Sequence, residues 1–210
     1  MEFSVEELVQ PAYWFPDEGE GVWEWKGRVV VEGDCAYGKF YQNKACYISM
    51  EWFPDFVNYR RSRCHLSAVE SEMLSTIRSH GSLLSRELKK LCGYTHPRST
   101  RIANPLERMA EQQARHIIGR KKPGRESFDT AITRLQMGGW VVTADFEYDY
   151  DKQGRRYGWG VARYCAATDF FGAERMSVKR SPEESHQRIV DHLHLLLPQA
   201  TDAEIARFVG

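Results

Sequence analysis

Residues Arg134–Tyr164 read RLQMGGWVVTADFEYDYDKQGRRYGWGVARY. The opening residues close a helix predicted over Ser127 to Met137: Phe128, Ala131, Ile132 and Leu135 recur at i, i+3, i+4 and i+7, while Asp129, Thr130, Thr133 and Gln136 fall on other faces. Gly138-Gly139 then supplies a left-handed stop. Two strand-like runs follow, Trp140 to Tyr148 and Tyr157 to Ala166, flanking a charged turn centred on Lys152-Gln153-Gly154, where glycine permits a positive φ. The spacing predicts a helix that runs directly into a two-stranded hairpin.

Upstream, Val69, Met73 and Ile77 mark a helix that stops at Gly81, and Ser85 opens a second one with Leu84, Leu88 and Leu91 on one side before Gly93. Helix, tight corner, helix, then a third helix feeding a hairpin is the winged-helix order, a helix-turn-helix variant whose third helix can lie in a major groove. About thirty residues separate the second and third helices, where a few are usual. The segment 94–125 is therefore expected to loop out as an Arg-rich insertion. It is punctuated by Pro97, Pro105 and Pro123, and Leu106 to Ile118 can form a helix within it.

Residues 13–59 hold 13 of the 26 aromatics, so that segment makes core or stacking surface. Within it, CAYGKFYQNKACYIS predicts a hairpin of Tyr37 to Tyr41 and Ala45 to Ser49 around Gln42-Asn43-Lys44, followed by a short helix over Met50 to Tyr59. Trp14, Trp23, Trp25 and Trp52 are expected to wedge together as an N-terminal cap rather than stack on bases. Near the other end, Ser181-Pro182-Glu183-Glu184 and Thr201 with Glu204 are capping boxes that open two helices expected to pack on the body. The expected fold is α+β: a winged helix-turn-helix at 67–167, an aromatic-rich β-hairpin subdomain at 1–66 and C-terminal helices at 168–210.

The 29 basic and 29 acidic residues balance overall but not locally. Residues 1–34 carry nine acids against Lys26 and Arg28, a balance of −7; residues 98–134 carry nine Arg/Lys against four acids, a balance of +5. A basic segment can mark a polyanion-facing surface or a solvated helix face. Five cysteines, an odd number with no CxxC pair, predict free thiols in a reducing cytoplasm and give no zinc clamp. Neither a basic-apolar leader nor about 18 consecutive apolar residues is present, so secretion and a membrane span are not expected. Phosphate-cradling GxxxxGK[ST] and GxGxxG, the GxSxG elbow and HExxH are absent, and the seven histidines lack ligand spacing. No cofactor and no metal is expected, and Asp145, Glu51 and Asp55 read as surface or capping acids.

Three blocks carry a family resemblance. AYGKFYQNKACYISMEWFPDFVNYRR is similar to an aromatic block followed by a proline-containing helix ending in arginines; HGSLLSRELKKL with AITRLQMGGWVVTADF resembles a winged helix; SPEESHQRIVDHL with ATDAEIARF resembles a closing helix pair. In this order they resemble the winged-helix DNA glycosylases of the AlkZ/YcaQ type, and more closely the short AlkZ-related bacterial proteins. Active members carry Gln-x-Gln or Gln-x-Asp in an earlier winged helix. Here no Gln has Gln or Asp two residues on, only about 34 residues precede the aromatic block, and Asn43 and Lys44 match the family's His-Glu. The catalytic part looks absent and the supporting part present, so no catalytic residue is nominated.

The resemblance implies double-stranded DNA as partner, bound without identified chemistry. A divergent glycosylase acting on damaged bases and a protein-interaction module with a protein partner remain the alternatives. DNA contact would use Arg125, Thr130, Thr133 and Arg134 on or beside the third helix, Lys152, Arg155 and Arg156 on the wing, and Arg120, Lys121 and Lys122 in the insertion. The wing also holds Asp145, Glu147, Asp149 and Asp151, so residues 145–156 sum to −1 and repel phosphate unless the acids turn away. GRKKPGR, residues 119–125, is the stronger phosphate-binding segment.

Overall fold

The computed structural model describes residues 22–94 and 126–210. In chain order they form α1 (Val22–Glu32), β1 (Cys35–Tyr41), β2 (Lys44–Ser49), α2 (Phe53–Arg63), α3 (Ala68–Ser79), β3 (Ser82–Leu84), α4 (Ser85–Leu91), α5 (Phe128–Met137), β4 (Val141–Tyr150), β5 (Arg156–Ala166), α6 (Ala167–Phe171), α7 (Pro182–Leu196) and α8 (Asp202–Val209). The class is α+β, with two small antiparallel sheets.

Side-chain capping sets the helix starts. Ser67 and Glu70 form a reciprocal capping box at α3, Ser127 accepts from the Thr130 amide at α5, and Ser181/Glu184 and Thr201/Glu204 box α7 and α8. Helix α5 ends in a Schellman motif: the Trp140 amide bonds Leu135 O, the Gly139 amide bonds Gln136 O, and Gly139 takes φ +67°. The hairpin β1–β2 closes through Gln42 and Asn43 at φ 46° and 63°, a two-residue turn with both central residues left-handed, as the strand twist requires.

One core holds α3, β3, α4, α5 and the start of β4 together. Met73 and Ile77 meet Leu83, Leu88, Ile132, Leu135 and Val141, all at most 6% exposed. The three-residue β3 pairs with β5, which also pairs with β4, giving the order β3-β5-β4. A second core joins Phe40 of β1, Phe53, Phe56 and Val57 of α2, Val142 of β4 and Phe171 of α6. Val141 and Val142 are adjacent in one strand, so they point to opposite faces. Strand β4 is thus the wall between the two cores.

Several elements differ from the sequence reading. Helix α2 starts at Phe53 and extends to Arg63, because Pro54 occupies its first turn, where a missing N–H costs nothing, and residues 50–52 form the preceding turn. Helix α1, strand β3 and the one-turn α6 are additional. Asp55 is not a surface acid but fully buried. Arg180 grips it with Nε–Oδ1 at 2.8 Å and Nη2–Oδ2 at 2.9 Å, Arg188 adds Nη1–Oδ2 at 2.6 Å, and the Ser185 hydroxyl donates to Oδ1 at 2.8 Å. Asn58 in turn donates to Ser185 Oγ at 2.9 Å. This network clamps α2 to α7.

Candidate nucleic-acid interface

Most of α5 is enclosed. The side towards α3 and α4 enters the first core, and β1 lies against another side: Gln136 Oε1 accepts the backbone amide of Lys39 at 3.0 Å, and Lys39 Nζ reaches Thr133 Oγ1 at 3.5 Å. Gln136 and Thr133 are 2% and 8% exposed, so this side of α5 is occupied by the hairpin. Gly38 makes this approach possible, since a Cβ there would lie 3.2 Å from Gln136 Oε1 and 2.9 Å from the Phe40 ring. Replacing Gln136 by leucine is expected to leave the Lys39 amide without its acceptor and to cost about 1–2 kcal/mol. The check is hydrogen exchange: the Lys39 amide should lose protection more than the amides of α7 do.

Asp129, Thr130 and Arg134 remain exposed on α5. Arg134 is not unpaired: its Nη1 lies 2.5 Å from Glu126 Oε1 and 3.9 Å from Glu70 Oε1, although 62% of the side chain is accessible. The Thr130 hydroxyl sits 2.7 Å from Ser127 Oγ, within the helix cap.

The β4–β5 hairpin resolves its own charge conflict. Asp149 pairs with Arg86 of α4 at 3.0 Å, Glu147 with Arg163, and Asp151 with Arg155 Nε at 3.0 Å. Asp145 accepts its neighbouring Phe146 amide. Asp151 also accepts the amides of Gln153 and Arg155 at 2.9 and 2.8 Å, and these bonds, the Arg155 amide foremost, hold its carboxyl below the usual aspartate range. The turn is therefore built around an anion that Arg155 partly neutralises. Arg156 lies 4.2 Å over the Tyr148 ring, and Lys152 is exposed at the tip. Two register shifts in β4, between Thr143 and Asp145 and between Glu147 and Asp149, add twist along the hairpin.

The structure thus gathers Lys152, Arg155 and Arg156 at one end of the hairpin and keeps Thr130 and Arg134 on α5, while it encloses Thr133. Arg120, Lys121, Lys122 and Arg125 lie outside the described residues. Arg61 is among the cations that the sequence reading did not single out. Arg61 of α2 stacks 4.1 Å over Trp140 and donates from Nη2 to Gly139 O at 2.7 Å, across the end of α5. Burial, with the charge of nearby Arg78, pushes its guanidinium down to about 10. The available signal was the cluster of arginines closing α2.

Among the wedge tryptophans, Trp25 is 58% exposed, and Trp52 stacks with His192 at 4.0 Å and with Arg188 at 3.8 Å. Trp14 and the Trp23 side chain lie outside the described set. All five cysteines are free thiols. Among the described residues, no helix is long and apolar enough to cross a membrane, and no three His, Cys, Asp or Glu side chains are placed to hold a metal ion.

Over residues 1–210 the chain matches the family model described as AlkZ related. No curated protein and no solved structure matches it.

Proposed function

The chain belongs to the AlkZ-related family, and from that premise we propose that it is a double-stranded DNA-binding protein in which residues 67–167 act as a winged helix. The observation that carries this reading is the β3-β5-β4 sheet packed, in one core, on α3, α4 and α5. That order of helices and strands is the one in which β4–β5 serves as a wing. The segments 1–66 and 168–210 flank it as the hairpin subdomain and the closing helices.

Phosphate contact falls to Thr130 and Arg134 on α5, to Lys152, Arg155 and Arg156 at the hairpin tip, and to Arg120, Lys121, Lys122 and Arg125 of the insertion. Thr133 joins them only where β1 leaves α5. With the Thr133 and Gln136 side of α5 covered by β1, the protein reads the phosphate backbone rather than base edges, and affinity is tolerant of sequence.

Anisotropy titrations of labelled duplexes test this. If about four to six phosphates are neutralised, log K falls against log salt with a slope of roughly −4 to −5, and Lys121→Ala/Lys122→Ala together reduce that slope by about 2. Duplexes of scrambled sequence should bind within about threefold of each other, as expected without base-edge contacts. Absence of binding at low salt, or a slope near zero, sinks the proposal. A near-zero slope with retained binding to another protein would support the second reading, a protein-interaction module, which the charge-paired β4–β5 hairpin favours.

A further inference from the structure

Strand β2 is paired on one side only. Its ladder runs to β1, and residues 45–48 make no backbone hydrogen bond to any other element among the described residues. Alternate residues of such a strand turn their N–H and C=O outwards, a row of groups able to pair with another extended chain. The opposite edge of the hairpin is not equivalent, because β1 is docked on α5 through the Lys39 amide and Gln136.

An apolar cleft of about 230 Å³ lies along the free edge, between β2 and α2, α7 and α8. Cys46 and Ile48 project to one face of the hairpin and Tyr47 and Ser49 to the other, yet all four line the cleft, together with Leu193 and Phe208. A cleft bordered by successive residues of both faces meets the strand edge-on. Its walls are fixed: the Asp55 network ties α2 to α7, and Arg60 donates from Nη2 to Phe208 O at 3.4 Å, tying α2 to α8. An apolar cavity of ~150 Å³ takes benzene, so this space accepts about one or two side chains, and the rest of a bound segment would run along β2.

Charge narrows the occupant. Arg60 is buried beside Phe208, over the Phe56 ring, and its Nε has no acceptor among the described residues. His192 lines the cleft and stacks on Trp52. Arg188, also over Trp52, is committed to Asp55 and Glu51. Cys46 and Tyr47 contribute no anion, because burial pushes the thiol and the phenol up, and no carboxylate lines the cleft. Arg60 and, when protonated, His192 therefore make the site positive. A cationic side chain is repelled there and an acidic one attracted. A second copy of β2 fits poorly, since it would carry Lys44 into the same field.

We propose that the free edge of β2 and the cleft beside it receive an extended segment of another protein, apolar at alternate positions and acidic rather than basic between them, which adds a strand to the hairpin. Main-chain hydrogen bonds along β2 supply affinity, and the cleft supplies the preference for apolar side chains. The site does not depend on the DNA-binding reading.

The probe is a capped, fluorescein-labelled peptide in which leucine alternates with threonine and glutamate, titrated with the full chain and followed by anisotropy. Saturable binding with a Kd on the order of 10–100 μM is expected. Two N-methylated peptides identify the contact: methylating one alternate set of amides, the set that faces β2, should weaken binding about tenfold or more, and methylating the other set should change it by less than about twofold. Exchanging the glutamates for lysines should weaken it about threefold or more. Phe208→Ala, which removes a half-exposed wall, should weaken it about fivefold while circular dichroism stays native. The proposal is overturned by no saturation up to about 1 mM, by equal effects of the two methylated sets, by a lysine peptide that binds as tightly as the glutamate one, or by unchanged affinity in Phe208→Ala. Sedimentation showing a dimer that the peptide dissociates would also overturn it, because the occupant would then be a second copy of this chain.

Discussion

Asp55→Ala is expected to destabilise the fold by about 3 kcal/mol, because a fully buried carboxylate with two arginines and a serine hydroxyl is removed at once. In a chain of this size that corresponds to a fall in Tm of roughly 6–12 °C. The pH dependence identifies the cause. Burial alone would raise the Asp55 pKa, but the hydrogen bonds from Arg180 and Ser185, the Arg180 charge and the Arg188 bond outweigh it and hold the group below the usual aspartate range. A carboxyl depressed on folding stabilises fully above its unfolded value of ~3.9 and loses that stabilisation as pH falls through the lower folded value. The stability gap between wild type and Asp55→Asn should therefore be widest near neutrality and narrow below about pH 4. A gap that is flat across this range would mean that packing, not charge, makes the clamp.

Gly139→Ala should have a comparable effect, about 3 kcal/mol, from two separable sources. At φ +67° any Cβ incurs the left-handed penalty of roughly 1–2 kcal/mol. In addition, that Cβ would stand 2.5 Å from Val57 Cγ2, which forces overpacking at about 1–3 kcal/mol. Val57→Ala makes room. In that background Gly139→Ala should cost only about 1–2 kcal/mol, the backbone part alone. Urea denaturation of the two single variants and the double variant measures the coupling. If the two effects simply add, the close approach of α2 to the end of α5 is not what constrains residue 139.

The parts of this fold that were readable along the chain are those with local causes. The 3.6-residue period of Phe128, Ala131, Ile132 and Leu135, the glycine pair after it, the charged turn at 151–154 and the capping serines each encode their own element. Elements whose stability comes from distant partners were not readable. Strand β3 has only three residues and owes its existence to β5, about eighty positions away. Helix α1 contains Gly27 and the β-branched run Val29–Val31, poor helix formers, and is held by packing on β4 and β1. Asp55 carries no mark in Trp-Phe-Pro-Asp that distinguishes a cap from a buried clamp, because both arginines arrive from α7 and the turn before it.

The same reasoning explains the uneven reading of the interface. Residue type and helical spacing placed Thr130, Thr133 and Arg134 on the polar sides of α5, but which polar side meets water depends on where β1 docks. That is decided by Gln136 receiving the Lys39 amide, a bond spanning 97 positions. The hairpin acids illustrate the converse. Their formal charge is visible in the sequence, but their pairing with Arg86, Arg155 and Arg163 is visible only in three dimensions.

The Asp55 clamp also bears on how the chain is made. Its carboxylate leaves the ribosome well over a hundred residues before Arg180, Ser185 and Arg188 follow. Until then Phe53, Phe56 and Val57 of α2 can already pack on β1, β4 and α6, but Asp55 is without the arginines that clamp it, so α2 cannot be sealed against α7 during synthesis. Stalled or prematurely terminated chains ending before residue 180 should be recognised by proteases and chaperones as unfinished, whereas chains that extend past Arg188 can close in a single late step.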